Sequence, residues 1–279
     1  TIIIERPDRI RPWSPAALEG PGSEGECIMK KIGLIGFGTI GRHLYEDLKN
    51  DAELAFVYAR KRPEDAEAAR VWISTPEQLE AKCREGVDLV TECAVTKTVL
   101  TLAPIVLKYA DMLAFSITAF AEEGFQEQVG ALCAEYHHTF YVPHGAILGL
   151  DGIFDGRRVL KSVTITTTKK PENLGRKDQA RTVLYDGPTR GACRAYPRNV
   201  NVHAAVALAG LGFDRTRSRI VADPAALGNT HRIEIDAEGC HFAIDVLSTP
   251  VSGVTGAYTP ISAASSVRRV LFRDGIVIA

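Results

Sequence analysis

The sequence predicts an α/β protein, a doubly wound parallel sheet joined to a second unit of α+β type. Short β-branched runs alternate with longer amphipathic segments from residue 30 to about residue 145, as βαβ units do. A glycine-rich turn, "GFGTIG", falls between the first apolar run and the first amphipathic segment. Beyond "VPHGAILGLDGI" the texture changes to alternating Thr- and Val-rich stretches separated by turn residues, which fits a mixed or antiparallel sheet.

The first 28 residues mix Pro, Gly and charge, lack the apolar run of a secretory signal, and are expected to form an extension before a folded unit that begins near Met29. Strands are expected over 31–35, 53–58, 88–93, 111–117 and 139–142. Between them, "TIGRHLYEDLKN" and "VTKTVLTLAPIVLKYA" repeat apolar residues at three- and four-residue intervals, the spacing of crossover helices packed on a sheet. In the second half the strands are "VLKSVTITTTKKP", "RSRIVADP", "NTHRIEIDA" and "CHFAIDVLS", and the helices "PTRGACRAY" and "NVNVHAAVALAGLG". The last stretch, "ISAASSVRRVLF", reads as a helix that returns to the first unit. The expected division is 1–28 extension, 29–145 nucleotide-binding unit, 146–252 α+β unit for substrate and dimerisation, and 253–279 C-terminal segment.

Composition narrows the function. Across 279 residues, 33 basic side chains face 34 acidic ones, which gives no electrostatic reason for a nucleic acid or an anionic membrane as partner. No apolar run approaches the roughly 20 residues of a membrane-spanning helix, so a soluble, cytoplasmic protein is expected. The six cysteines form no CxxC pair, which argues against a zinc ribbon or a dithiol redox site and leaves no metal site in view.

The turn carries G-x-G-x-x-G as Gly36, Gly38 and Gly41. In a strand-turn-helix context the first glycine permits the tight turn, the second lets backbone approach a pyrophosphate, and the third allows close helix packing. Gly36, Phe37, Gly38, Thr39, Ile40 and Gly41 are therefore expected to bind a dinucleotide on a Rossmann-type unit. At the end of the next strand, where NAD enzymes carry an acidic residue for the ribose, the chain reads Arg60, Lys61 and Arg62. A guanidinium there can pair with a 2′-phosphate, so the expected cofactor is NAD or NADP, with NADP favoured. Glu64 and Asp65 follow closely and offer a rival contact to the ribose.

In "GNTHRIEIDAEG" His231 is in phase with Ile233 and Ile235, so its imidazole points toward the core side of a strand. From the pattern alone it is either a packed core histidine or a catalytic one.

The motifs "GFGTIG", "SITAFAE", "PHGAILGLDGI", "TTTKKP", "YPRNVNVHAAVALAG", "VADP" and "GNTHRIEI", in this order, resemble the L-aspartate dehydrogenase family from about residue 30 to the C-terminus. The resemblance implies an oxidoreductase that moves a hydride from Cα of L-aspartate to NAD(P). The product is iminoaspartate, which is hydrolysed to oxaloacetate and ammonia or passed to NAD biosynthesis. It also implies a homodimer built from a Rossmann unit and an α/β substrate unit. Carried over residue by residue, the catalytic histidine falls on His231 and the cofactor contacts on Ala119 and Asn201. Histidine suits the chemistry, because the amine must lose a proton before hydride leaves and water must later be activated near neutral pH.

Two carboxylates on the substrate call for cations, and Lys169, Lys170, Arg194 and Arg198 are the candidates. His203, His137 and His138 are read as structural. The chain departs from the family at His144, where a small residue is usual, and at Glu172. His144 is a candidate carboxylate ligand. Two other readings stay open: a dehydrogenase or reductase of another amino acid or imine, and a nucleotide-sensing relative without catalysis.

Overall fold

The computed structural model describes residues 29–248 and 258–272, with the backbone of 250–252 and 255–256. The expected extension, residues 1–28, lies outside the described residues.

The first half builds β1 (Lys30–Ile35), α1 (Thr39–Leu48), β2 (Ala52–Tyr58), α2 (Ala66–Arg70), β3 (Trp72–Ile73), α3 (Pro76–Arg84), β4 (Leu89–Glu92), α4 (Thr96–Val106), β5 (Asp111–Ala114), α5 (Phe125–Tyr136) and β6 (Phe140–Tyr141). Its six strands are parallel and ordered β3-β2-β1-β4-β5-β6. The order reverses between β1 and β4, and such a switch point is where an open α/β sheet binds ligands. Leu34, Ile35, Leu89 and Val90 are fully buried because helices cover both faces of this sheet. Burial of each such side chain stabilises the fold by about 1.5–3 kcal/mol. The strand expected over 111–117 ends at Ala114, and Ile117–Ala121 turns into a short 3₁₀ helix.

The second half contains α6 (Leu150–Asp155), β7 (Leu160–Lys169), β8 (Thr182–Pro188), α7 (Thr189–Ala195), α8 (Asn201–Ala209), β9 (Arg217–Ala222), β10 (Asn229–Ala237) and β11 (Cys240–Ser248). Five of these strands form a mixed sheet in the order β11-β10-β7-β9-β8. Only β7 and β9 run parallel; the other three pairings are antiparallel. Val163, Ile165, Ile233 and Ile235 face α6 and α8 in one buried cluster. Alternate residues of β10 are buried along the strand, so His231 lies on the same side as Ile233 and Ile235.

The chain then forms a small hairpin, β12 (Pro250–Ser252) with β13 (Thr255–Gly256), and a final helix, α9 (Tyr258–Leu271). Ala263, Ala264, Val267 and Leu271 of α9 pack with Leu44 and Leu48 of α1 against β1. Arg268 pins this contact through ion pairs to Asp47 and Asp51. No helix among the described residues is long and apolar enough to cross a membrane.

Candidate active site

The glycine turn has the backbone its spacing requires. Gly36 adopts φ +93°, and a Cβ there would sit 2.8 Å from the Cys93 carbonyl oxygen. At Gly41 a Cβ would collide with the Gly36 carbonyl oxygen, so only glycine lets α1 start this close to β1. A Cβ on Gly38 would meet nothing within 4 Å, which leaves open space above the turn. No side chain caps α1 and its first turn carries no acid, so its first N–H groups and its positive end face that space. These are the features a pyrophosphate needs, and the residues present fit a dinucleotide. Phe37 packs on Tyr45, Gly38 and Thr39 are exposed, and Ile40 reaches a cavity beyond the turn.

Arg60, Lys61 and Arg62 are exposed just past β2. Asp65 caps α2 through Oδ1, which accepts from the N–H groups of Glu67 and Ala68. At the switch point the fully buried Glu92 accepts from Ala94 N–H at 2.6 Å, Ser116 N–H at 3.0 Å and Ser116 Oγ at 2.8 Å. It ties the loops after β4 and β5 together.

A cavity of about 170 Å³ opens between this end of the parallel sheet and the mixed sheet. Ile40, Phe115 and Ile117 line it from one side, and Lys169, Asn229, His231 and Ser248 from the other. His144, Gly145, Ala146, Arg198, Asn199 and Asn201 also line it. Here β7 and β10 run side by side, with His231 directly opposite Thr167. His231 Nδ1 lies 2.8 Å from Thr167 Oγ1, which leaves Nε2 as the ring nitrogen for the cavity. Burial, reinforced by the Lys169 charge, pushes the His231 pKa down to about 3. The imidazole is therefore neutral at physiological pH, not balanced between two forms as an exposed histidine would be. Lys169, two residues along β7 from Thr167, is also buried, and desolvation lowers its pKa to about 8. Its Nζ donates to Asn199 Oδ1 at 3.1 Å, and it has no carboxylate partner among the described residues.

Asn201 opens α8 at its first helical position, so it is not the helix cap. Its Oδ1 accepts from the N–H and the hydroxyl of Thr118, both at 3.2 Å, and this fixes the carboxamide and leaves Nδ2 for the cavity it lines.

Other residues stand differently from the sequence expectation. Ala119 is fully buried inside the 3₁₀ turn, with N–H bonded to Ser116 O and carbonyl to Glu122 N–H, so it does not reach the cavity; Ala146 does. Lys170, the first residue past β7, is exposed and does not line the cavity. Arg194 is exposed and pairs with Glu123. His144 lines the cavity; burial lowers its pKa, and its Nδ1–H donates to the Ile147 carbonyl at 2.9 Å. His203, read as structural, is joined to His231 through the Thr167 hydroxyl. Sequence reasoning did not pick out Thr167, Asn199 or Asn229, small polar residues that mean nothing until the strands are paired. His137 closes α5 in a left-handed conformation, and His138 bonds the Leu107 carbonyl.

A parallel sheet in this strand order, with a phosphate-type turn at its switch point and a neutral histidine beside a buried lysine across the cleft, defines a two-unit NAD(P)-dependent oxidoreductase. Comparison with known proteins agrees. Residues 36–143 match the family model described as homoserine dehydrogenase, NAD binding domain, and residues 154–270 the one described as aspartate dehydrogenase, C-terminal. The L-aspartate dehydrogenase of Methanosarcina acetivorans is 32% identical over 264 residues, covering 87% of this chain and 97% of its own. That of Serratia proteamaculans is 31% identical over 271 residues, covering 90% and 100%. A crystal structure of aspartate dehydrogenase from Thermotoga maritima matches with a TM-score of 0.75 at 27% identity, over 90% of this chain and 99% of that one. The chain belongs to the L-aspartate dehydrogenase family.

Proposed function

We propose that the protein catalyses the reversible, NAD(P)-dependent oxidation of L-aspartate to iminoaspartate and thence to oxaloacetate and ammonia. The observation that carries this reading, beside family membership, is Lys169: a buried cation, without a carboxylate of its own among the described residues, in the same cavity as a neutral histidine. A buried, unpaired charge is costly, and a substrate carboxylate relieves that cost on binding. Arg198, which lines the same cavity, is the candidate for the second carboxylate.

When bound on the glycine turn, the nicotinamide cofactor supplies the hydride acceptor. The chain's own residues handle the proton and the charges. His231 Nε2 takes the proton from the substrate ammonium, since hydride leaves an amine carbon readily only when nitrogen is neutral. That proton passes to solvent through the cavity mouth, and the bare Nε2 then accepts one from the water that attacks the imine carbon. With Lys169 paired to a carboxylate, its charge no longer opposes protonation of His231, so substrate binding raises the basicity of the ring. Asn201 Nδ2 is assigned to the nicotinamide carboxamide.

NADP is the favoured cofactor, supported by Arg60 and Lys61 after β2 and by the commitment of Asp65 to its helix cap. A cytoplasmic homodimer completes the proposal. The family resemblance supports the dimer, and the unpaired cysteines Cys83, Cys93 and Cys193 support a reducing compartment.

The test uses purified protein with L-aspartate and a panel of other amino acids, NAD or NADP, and the absorbance of the reduced nicotinamide. Turnover with L-aspartate is expected. No turnover with any amino acid, or with oxaloacetate plus ammonia in reverse, refutes the reading, and preference for another amino acid moves it to a different substrate.

A further inference from the structure

His231 is the end of a line of five buried side chains that crosses the inner face of the mixed sheet. Thr167 Oγ1 on β7 lies 2.8 Å from His231 Nδ1 and 2.6 Å from His203 Nε2 on α8. His203 Nδ1 lies 2.8 Å from Ser218 Oγ on β9. Ser218 Oγ lies 2.7 Å from Thr189 Oγ1 at the start of α7, whose hydroxyl reaches the Thr216 carbonyl at 3.0 Å. Thr167, His203, Ser218 and Thr189 are all buried, so water does not interrupt the line.

We propose that this chain of hydrogen bonds is one-way, and that Thr167 and His203 act as positioning residues that hold His231 as the Nδ1–H tautomer with a bare Nε2 toward the substrate. The argument starts at the far end. A carbonyl only accepts, so Thr189 spends its one hydroxyl proton on Thr216 O and must accept from Ser218. Ser218 has then spent its proton, so it accepts from His203 Nδ1–H. His203 is neutral, because complete burial and the neighbouring His231 and Lys169 oppose its protonation, so its Nε2 carries a lone pair and accepts from Thr167. Thr167 in turn accepts from His231 Nδ1–H. Each hydroxyl has one proton to give, so the direction set at Thr216 passes unchanged to the ring in the cavity.

The titratable groups facing this line are His203 from α8, His231 from β10 and Lys169 from β7. No proton is handed along it. When Nε2 takes a proton, Nδ1–H keeps donating to Thr167, whose oxygen then faces an imidazolium. The inference rests on His231 being the base, but the tautomer is measurable without turnover.

The experiment is ¹⁵N NMR of histidine-labelled full-length protein, which reads the tautomer of each ring, beside kcat, KM and the pH profile of kcat. In the wild type both His231 and His203 are expected as Nδ1–H. Thr167→Val is expected to release His231 to the Nε2–H form and to lower kcat about 10- to 100-fold, with KM changed less than about twofold. Thr167→Ser, which keeps the hydroxyl, is expected to restore both the tautomer and kcat. His203→Leu should act like Thr167→Val, because the Thr167 proton loses its acceptor and turns toward His231. An Nε2–H His231 in the wild type, or an unchanged tautomer in both Thr167→Val and His203→Leu, overturns the proposal. If His231→Ala keeps full turnover, the base assignment fails, and the tautomer spectra still decide whether the chain is directional.

Discussion

Lys169 Nζ meets Asn199 Oδ1 at 3.1 Å, so a lysine only 5% exposed is held in the cavity by a neutral amide oxygen. A cation kept this way costs stability in the free protein and gains most when an anion enters. The direction of its pKa, lowered to about 8 by desolvation, expresses the same cost.

Lys169→Met is therefore expected to do two opposite things. KM for L-aspartate should rise roughly 100- to 1,000-fold, the loss of about 3–4 kcal/mol from one desolvated charge pair. The ligand-free protein should melt at a higher temperature, because a buried unpaired charge has been replaced by an apolar side chain of similar length. Steady-state kinetics and a thermal scan check both, and an unchanged KM removes Lys169 from the substrate site.

His231→Ala is expected to lower kcat by about 100- to 10,000-fold, the usual range for loss of a general base. Dinucleotide affinity, followed by fluorescence titration, should stay within about threefold, because the phosphate contacts proposed for the glycine turn lie across the cavity from His231. Equal losses of turnover and cofactor binding point instead to a packing role.

Arg60→Asp places a carboxylate where the ribose of the cofactor is expected. It should lower kcat/KM for NADP relative to NAD by about 10- to 100-fold, or about 1.4–2.8 kcal/mol. A ratio that does not move takes Arg60 out of cofactor choice.

Much of this architecture was legible in the chain because it rests on local periodicity. The glycine spacing marked the turn, and alternation in "NTHRIEIDA" put His231 on the buried side. β8 was missed: "TVLYDGP" ends in Gly-Pro, has alternating half-exposed residues, and becomes a strand only by pairing with β9. The partners of His231 were hidden for a different reason. Thr167, His203 and Ser218 are far apart in sequence, each has an ordinary local context, and only the register of β7 against β10 and the seat of α8 bring them together. Ala119, matched through its motif, sits buried in the turn after β5, and no local pattern in the sequence shows which way its backbone faces.

The two buried histidines also set how the fold responds to acid. The pKa values of His231 and His203 are both lowered in the folded state, the first to about 3. Unfolded, each returns to about 6.5. Between those limits the unfolded chain binds protons that the native state refuses, so stability rises with pH; it is complete above about pH 6.5 and lost as pH falls toward 3. Each neutral buried histidine should contribute a loss of about 1.2 kcal/mol between pH 7 and 5.5. Lys169 titrates on the alkaline side and plays no part in this window. Glu92, raised by burial, has the opposite sign but is common to wild type and variant. The measurement is the difference in urea stability between wild type and His203→Leu at the two pH values. The variant is expected to lose about 1.2 kcal/mol less than the wild type on acidification, and parallel losses would show that His203 is not held neutral in the fold.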